Sequence, residues 1–216
     1  MTYDKDLLYY IKKGDIKNII KLLKDYGINN VDHNAKILTQ AIIDQQTDIV
    51  KLLLNNKHFN PNKYNKKLNS SPLVMAIKYG NPKIVYLLMN HKQIIITDNK
   101  HETNNVIMLA LVYGYFYIVD KALKEKKVTV AKLWKDLQFG ENEKHMLKIY
   151  KYLVSCKKSD PNVNKNVLDS MIEINAIKTI KYILNNYKLS KKTKNTALKV
   201  ANKYNRKKII KLIEQN

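Results

Sequence analysis

Apolar residues recur along the chain in a short stripe with a polar residue or a tyrosine inside it. The stripe is Ile19, Ile20, Leu22 and Leu23, then Ile49, Val50, Leu52 and Leu53, then Ile84, Val85, Leu87 and Leu88. It returns as Ile149, Tyr150, Tyr152 and Leu153, as Ile180, Tyr182 and Ile183, and as Ile209, Ile210, Leu212 and Ile213. Apolar positions at these spacings share one face of a helix. Ahead of most stripes stands a pair four residues apart: Tyr10/Gly14, Ala41/Gln45, Ala76/Gly80, Ala110/Gly114, Met171/Asn175 and Ala201/Asn205. Its second members step by 31, 35, 34, 61 and 30 residues. A period near thirty predicts a stack of similar units, and the double step predicts one degenerate unit between residues 115 and 162.

Each unit reads as two short helices. In the clearest copy, Leu73, Ala76 and Ile77 share a helical face, and the small Ala76 lets a second helix approach closely. Gly80 then supplies a residue that tolerates positive φ at the helix end. Pro82, after Asn81, suits the first position of the next helix, where a missing N–H costs little. One such pair cannot bury its apolar face alone, so neighbouring pairs must stack.

Ser71-Pro72-Leu73-Val74-Met75-Ala76 and Thr196-Ala197-Leu198-Lys199-Val200-Ala201 resemble the signature that opens an ankyrin repeat. Leu22-Leu23-Lys24-Asp25-Tyr26-Gly27-Ile28-Asn29 resembles the segment that closes one, and Asp160-Pro161-Asn162 the turn that opens the next. The resemblance covers nearly the whole chain and implies an all-α, ankyrin-type helical-repeat solenoid. The expected organisation is one domain of units near residues 1–31, 32–64, 65–98, 99–130, 131–161, 162–190 and 191–216. The sequence departs from the family pattern in three ways. Val74 and Lys199 stand where the signature has histidine, Gln45 and Asn175 stand where it has glycine, and the unit around residues 129–155 is irregular. That unit holds the only tryptophan, Trp134, which with Leu133 and Leu137 reads as a repacked core helix.

Charge adds a second theme. Forty basic residues against 18 acidic ones give a formal +22, and every basic residue except Arg206 is lysine. The abundance of Lys, Asn, Ile and Tyr is the style of an AT-rich genome, so part of the excess reflects codon usage; the charge attracts polyanions whatever its origin. Between Glu173 and Glu214 there are twelve basic residues and no acidic one. No apolar run reaches about 18 residues, so no membrane span is expected. A single cysteine, Cys156, excludes an intrachain disulfide and fits a reducing compartment.

The chemistry of catalysis is missing from the pattern. Five glycines make no phosphate loop, and five scattered histidines have no metal-ligand spacing. Cys156 has no base fixed near it in sequence, and Glu141 and Glu143 fall on different sides of a helix. The expectation is a non-enzyme with no cofactor and no metal; an enzyme would need an unrecognised site in the irregular unit.

Function therefore rests on surfaces. The resemblance implies binding at a concave face built from turn tips and from the exposed side of the first helices. Two first-helix residues precede each turn: Lys12-Lys13, Ile43-Asp44, Lys78-Tyr79, Val112-Tyr113 and Lys203-Tyr204. The expected turn tips are Asp32-His33, Lys67-Leu68, His101-Glu102 and Lys192-Thr193. Tyr79, Tyr113 and Tyr204 hold equivalent positions, and tyrosine is enriched at interfaces. A protein partner with an acidic surface is expected for a monomeric scaffold. The alternative is sequence-independent nucleic-acid binding, with Lys188, Lys191, Lys192, Lys194, Arg206, Lys207 and Lys208 as candidate polyanion ligands. The overall style is similar to small ankyrin-repeat proteins of large DNA viruses and of intracellular bacteria or parasites. That implies a host protein as target and the cytoplasm as the place of work, with the nucleus as the alternative.

Overall fold

A computed structural model describes residues 3–26, 31–56, 59–96, 106–136, 143–157 and 165–216. The described residues form helices and no extended strand; one isolated antiparallel bridge joins Asn65 to Ser70. Two compact units are present, unit 1 spanning Met1–Ala122 and unit 2 spanning Leu123–Asn216.

Unit 1 contains α1 (Tyr3–Lys13), α2 (Ile16–Tyr26), α3 (Val31–Ile43), α4 (Thr47–Leu54), α5 (Pro72–Tyr79), α6 (Pro82–Met89) and α7 (Val106–Tyr113); α8 (Phe116–Lys124) begins in it. The first helices α1, α3, α5 and α7 pack side by side in that order, and α4 packs beside α6. Each apolar stripe points inward. Ile19, Val50, Leu53, Ile84, Val85, Leu88, Ile118 and Val119 are fully buried, as are Ala41, Ala76 and Ala110 on the first helices. Burying one such aliphatic side chain contributes about 1.5–3 kcal/mol, so the stripes dominate the stability of the stack.

Unit 2 contains α9 (Val130–Asp136), α10 (Glu143–Lys157), α11 (Lys165–Glu173), α12 (Ile177–Asn186), α13 (Lys191–Lys203) and α14 (Lys207–Glu214). Here α11 packs beside α13, while α10, α12 and α14 form the parallel row of second helices. Ile149, Leu153, Ile180, Ile183, Ile209 and Ile213 fill its core with Met171 and Ala201. The degenerate unit expected between residues 115 and 162 is the α9–α10 pair. Trp134 and Leu133 are buried there, as expected, and the Trp134 ring lies 5.7 Å from that of Tyr150. Tyr150 in turn meets Tyr182 of α12 edge-on at 6.1 Å. Leu137 lies outside the described residues.

The turns obey the sequence closely. Gly14, Gly80 and Gly114 have φ of 70°, 71° and 81°, and Gln45, Asn175 and Asn205 take the same left-handed conformation at 54°, 59° and 53°. The helix ends by the same geometry whether or not glycine is present. Ser71 caps α5 through Val74 N–H with Pro72 at the first position, and Asn81 caps α6 through the N–H groups of Lys83 and Ile84.

Two of the expected turn tips are corrected. Asp32 and His33 lie within α3, which already begins at Val31. Lys192 and Thr193 lie in the first turn of α13, where Ser190 caps the helix and Thr193 is buried. A serine cap starts that helix earlier than the repeat signature does.

Candidate interaction surfaces

In unit 1 the first-helix face carries a row of equivalent positions. Tyr79 ends α5 and Tyr113 ends α7, and these two helices pack side by side. Both rings are exposed, at 42% and 48%. Lys78 beside Tyr79 is exposed, and Val112 beside Tyr113 is half-buried. Helix α7 is apolar at every position from Val106 to Tyr113, and its Met108, Leu109 and Val112 are only half-covered. A helix apolar all round ordinarily has both sides covered, so this one leaves an apolar strip beside Tyr113. Leu109 was not among the expected surface residues; the uninterrupted apolar run from Val106 is the signal that could have found it.

The row changes character toward the N-terminus. At the end of α3 the equivalent Ile43 and Asp44 are half-buried, and the Asp44 carboxylate accepts two hydrogen bonds from Gln40 Nε2, at 2.9 and 3.0 Å. In α1, Lys12 and Lys13 are exposed, and Lys13 Nζ stands 6.0 Å from the Tyr9 ring centroid. The face therefore runs from cationic at α1 to aromatic and aliphatic at α7.

Lys67 and Leu68 occupy a turn tip as expected. The Asn65–Ser70 bridge closes the turn, both side chains are exposed, and Leu68 N–H donates to Asn65 Oδ1 at 3.2 Å. Asn65 itself is buried and donates to Thr39 Oγ1 of α3 at 2.7 Å, which ties this tip to the preceding first helix. Asn62 ties the next connection down in the same way: its Nδ2 donates to the Gln93 carbonyl at 2.6 Å, and its Oδ1 accepts Ile95 N–H at 2.8 Å. His101 and Glu102 lie outside the described residues.

Around the start of α8, Tyr115 and Tyr117 pack edge-on with centroids 6.3 Å apart. Burial raises the phenol pKa of both. Tyr117 is pushed up to about 12, first by burial and second by the neighbouring Tyr115. At the start of α2, Asp15 is held below its ordinary 3.8 by the backbone N–H of Asn18 and then by the Asn18 side chain.

A groove of about 740 Å³ opens between the C-terminal ends of α4 and α6, lined among others by Lys51, Leu54, Tyr86, His91 and Gln93. Tyr86, 63% exposed, is the most open of the large apolar side chains described. His91 is structural in this groove, its Nε2 lying 3.2 Å from the Leu54 carbonyl oxygen at the end of α4.

In unit 2, Lys203 ends α13 and Tyr204 caps it; both are exposed, with Lys203 Nζ 5.1 Å from the Tyr204 centroid. Lys188, Lys191, Lys192, Lys207 and Lys208 are exposed, and Lys194 is half-buried with Nζ donating to the Glu214 carbonyl at 3.4 Å. Arg206 differs from that set. Its Nε donates to the Ile172 carbonyl at 3.3 Å and its Nη2 to that of Glu173, at the C-terminal end of α11. The guanidinium thus sits where a helix terminus favours positive charge and tethers one helix pair to the next.

Among the described residues no group of three or more His, Cys, Asp and Glu side chains could hold a metal ion. No helix among them is long and apolar enough to cross a membrane.

Residues 38–132 match the family model for ankyrin repeats, in three copies. This stretch of the chain consists of ankyrin repeats. The match runs from α3 to α9, the stretch with the most regular stripes, and includes both Tyr79 and Tyr113. Ankyrin repeats generally serve as protein–protein interaction modules. No curated protein matches the chain.

Proposed function

We propose that this protein is a non-catalytic, monomeric scaffold that binds a protein partner through the first-helix face of unit 1. The observation that carries this reading is the pair Tyr79 and Tyr113. They are exposed at equivalent positions on adjacent helices and are flanked by Lys78 and by the half-covered Leu109 and Val112. The stack does not need either ring for its own core, whereas interfaces draw their energy from such aromatic anchors. Lys12, Lys13, Lys67 and Lys78 would steer an acidic partner toward the anchor. His101 and Glu102, near α7 in sequence, belong to the same proposed face, and Lys203 with Tyr204 repeats the lysine–tyrosine motif in unit 2. The target is proposed to be a host protein met in the cytoplasm.

The test is affinity capture with crosslinking, followed by titration of the partner so identified against a Tyr79→Ala/Tyr113→Ala variant. Two anchor rings predict a loss of at least about thirtyfold, the effect of about 2 kcal/mol. An unchanged affinity would remove these residues from the site.

A further inference from the structure

The second helices of unit 2 carry a pattern of their own. On α10, α12 and α14 the outward residues inside the apolar stripe, and those three positions earlier, are Lys148/Lys151, Lys178/Lys181 and Lys208/Lys211. Each pair recurs after 30 residues, and all six side chains are exposed. Residues three apart on a helix are neighbours about 5–6 Å apart. Helix α10 packs beside α12, and α12 beside α14, and packed helix axes lie about 8–10 Å apart. The six lysines therefore form a grid of three columns and two rows. Lys151 Nζ stands 4.6 Å from the centroid of Tyr182, so the first column leans onto the second.

Codon usage does not account for the grid. The same outward positions on the second helices of unit 1 hold Asn18/Lys21, Asp48/Lys51, Lys83/Tyr86 and Tyr117/Asp120. One coding bias acts on both units, yet unit 1 mixes lysine with aspartate and tyrosine while unit 2 has lysine at every place. Helix electrostatics also oppose it. Lys178 and Lys208 lie in first turns, where the positive end of the helix disfavours a cation, and neither α12 nor α14 has an acidic residue there.

We infer that this grid binds the phosphate backbone of a duplex nucleic acid without reading its bases. Lysine contributes point charges, which suffice for phosphates; base recognition draws on arginine, and none lies in the grid. A protein partner would call for aromatic or arginine anchors, and no exposed large apolar side chain lies on α10, α12 or α14. A single strand would call for open rings to stack on, whereas Tyr182 is half-buried under Lys151. A bilayer would gain from apolar side chains to insert, which this face does not offer. The inference is independent of the first-helix reading, since it uses another face and other residues.

Binding of a labelled mixed-sequence DNA duplex, measured by anisotropy at rising salt, tests it. Six phosphate contacts predict a slope of log K against log salt of about −5, with roughly a thousandfold loss between about 50 and 200 mM salt. Lys151→Gln/Lys181→Gln/Lys211→Gln should reduce that slope to about half. Lys21→Gln/Lys51→Gln/Lys83→Gln in unit 1, and Tyr79→Ala/Tyr113→Ala, should leave it unchanged. Each single variant of the grid should lower the slope by about 0.9, which keeps the test open should the triple fail to fold. Equal slope losses for the two lysine triples would overturn the inference, because diffuse charge alone would then explain binding. So would no binding at about 50 mM salt, or stronger retention on phosphatidylserine vesicles than on the duplex at the same salt.

Discussion

The two units solve the same folding problem with the same interior and present different exteriors. In unit 1 the buried stripe of α6 is Ile84, Val85 and Leu88; in unit 2 that of α12 is Ile180, Ile183 and Leu184. The turn geometry is shared as well, Gly80 of unit 1 and Asn175 of unit 2 both lying in the left-handed region. Outward, unit 1 shows Tyr79, Tyr86 and Tyr113, whereas the row of second helices in unit 2 shows six lysines. The repeat thus constrains what faces the neighbouring helices and leaves the outward positions to diverge. Function is read from the differences between copies and structure from their agreement.

The strongest way to break this comparison is to cut the interior of each unit. Leu88→Ala in α6 and Ile183→Ala in α12 remove fully buried side chains from corresponding places. Each should cost about 2–5 kcal/mol in chemical denaturation. If one unit tolerates its truncation with no measurable loss, the two interiors are not equivalent.

Turn geometry gives the next effect. Gly80 has φ of 71° and nothing within 4 Å of where a Cβ would stand, so the penalty of Gly80→Ala is conformational and should be about 1–2 kcal/mol. The reverse changes, Gln45→Gly in unit 1 and Asn175→Gly in unit 2, should leave stability unchanged or raise it, with Gln45 gaining more, because asparagine tolerates this region better than glutamine. Thermal unfolding of the three variants ranks them, and a loss on Gln45→Gly would show that its side-chain bond to the Tyr79 carbonyl outweighs the strain.

The smallest effect is one of pH, and it bears on unit 1. The folded pKa of Tyr117 lies at about 12, above the ordinary 10.0. The folded state therefore holds the phenolic proton more tightly than the unfolded chain does. The resulting stability is fully present below pH 10.0 and is lost as pH rises toward about 12. Phenolate absorbance should show a late-titrating component that shrinks in Tyr117→Phe and keeps the share of Tyr115, and an unchanged titration would refute the assignment.

Much of the frame can be read in the sequence because its determinants are local. The left-handed positions at 14, 45, 80, 114, 175 and 205, the Ser71 and Asn81 caps and the buried alanines all follow from residue type and spacing. Features that depend on a neighbouring repeat are harder to see. Arg206 looks like one more cation in a basic run until Ile172 and Glu173 place two carbonyls under its guanidinium. Thr193 looks like a turn residue until Ser190 caps α13 and buries it. The lysine grid has a visible 30-residue period, but its columns acquire meaning only when α10, α12 and α14 stand side by side. The exposure of Tyr79 and Tyr113 follows from the register, whereas the half-burial of Ile43, Asp44 and Val112 at the same places before a turn does not.

The one tryptophan gives the molecule a built-in optical label. Trp134 sits on α9 of unit 2, buried against Tyr150. Its emission, excited directly or by transfer from the adjacent tyrosine, watches the melting of unit 2 without any added dye. Unit 1 contains no indole, so its own melting is silent in that channel and visible in tyrosine absorbance. Tyrosine absorbance follows both units, so a transition seen there and not in tryptophan emission belongs to unit 1.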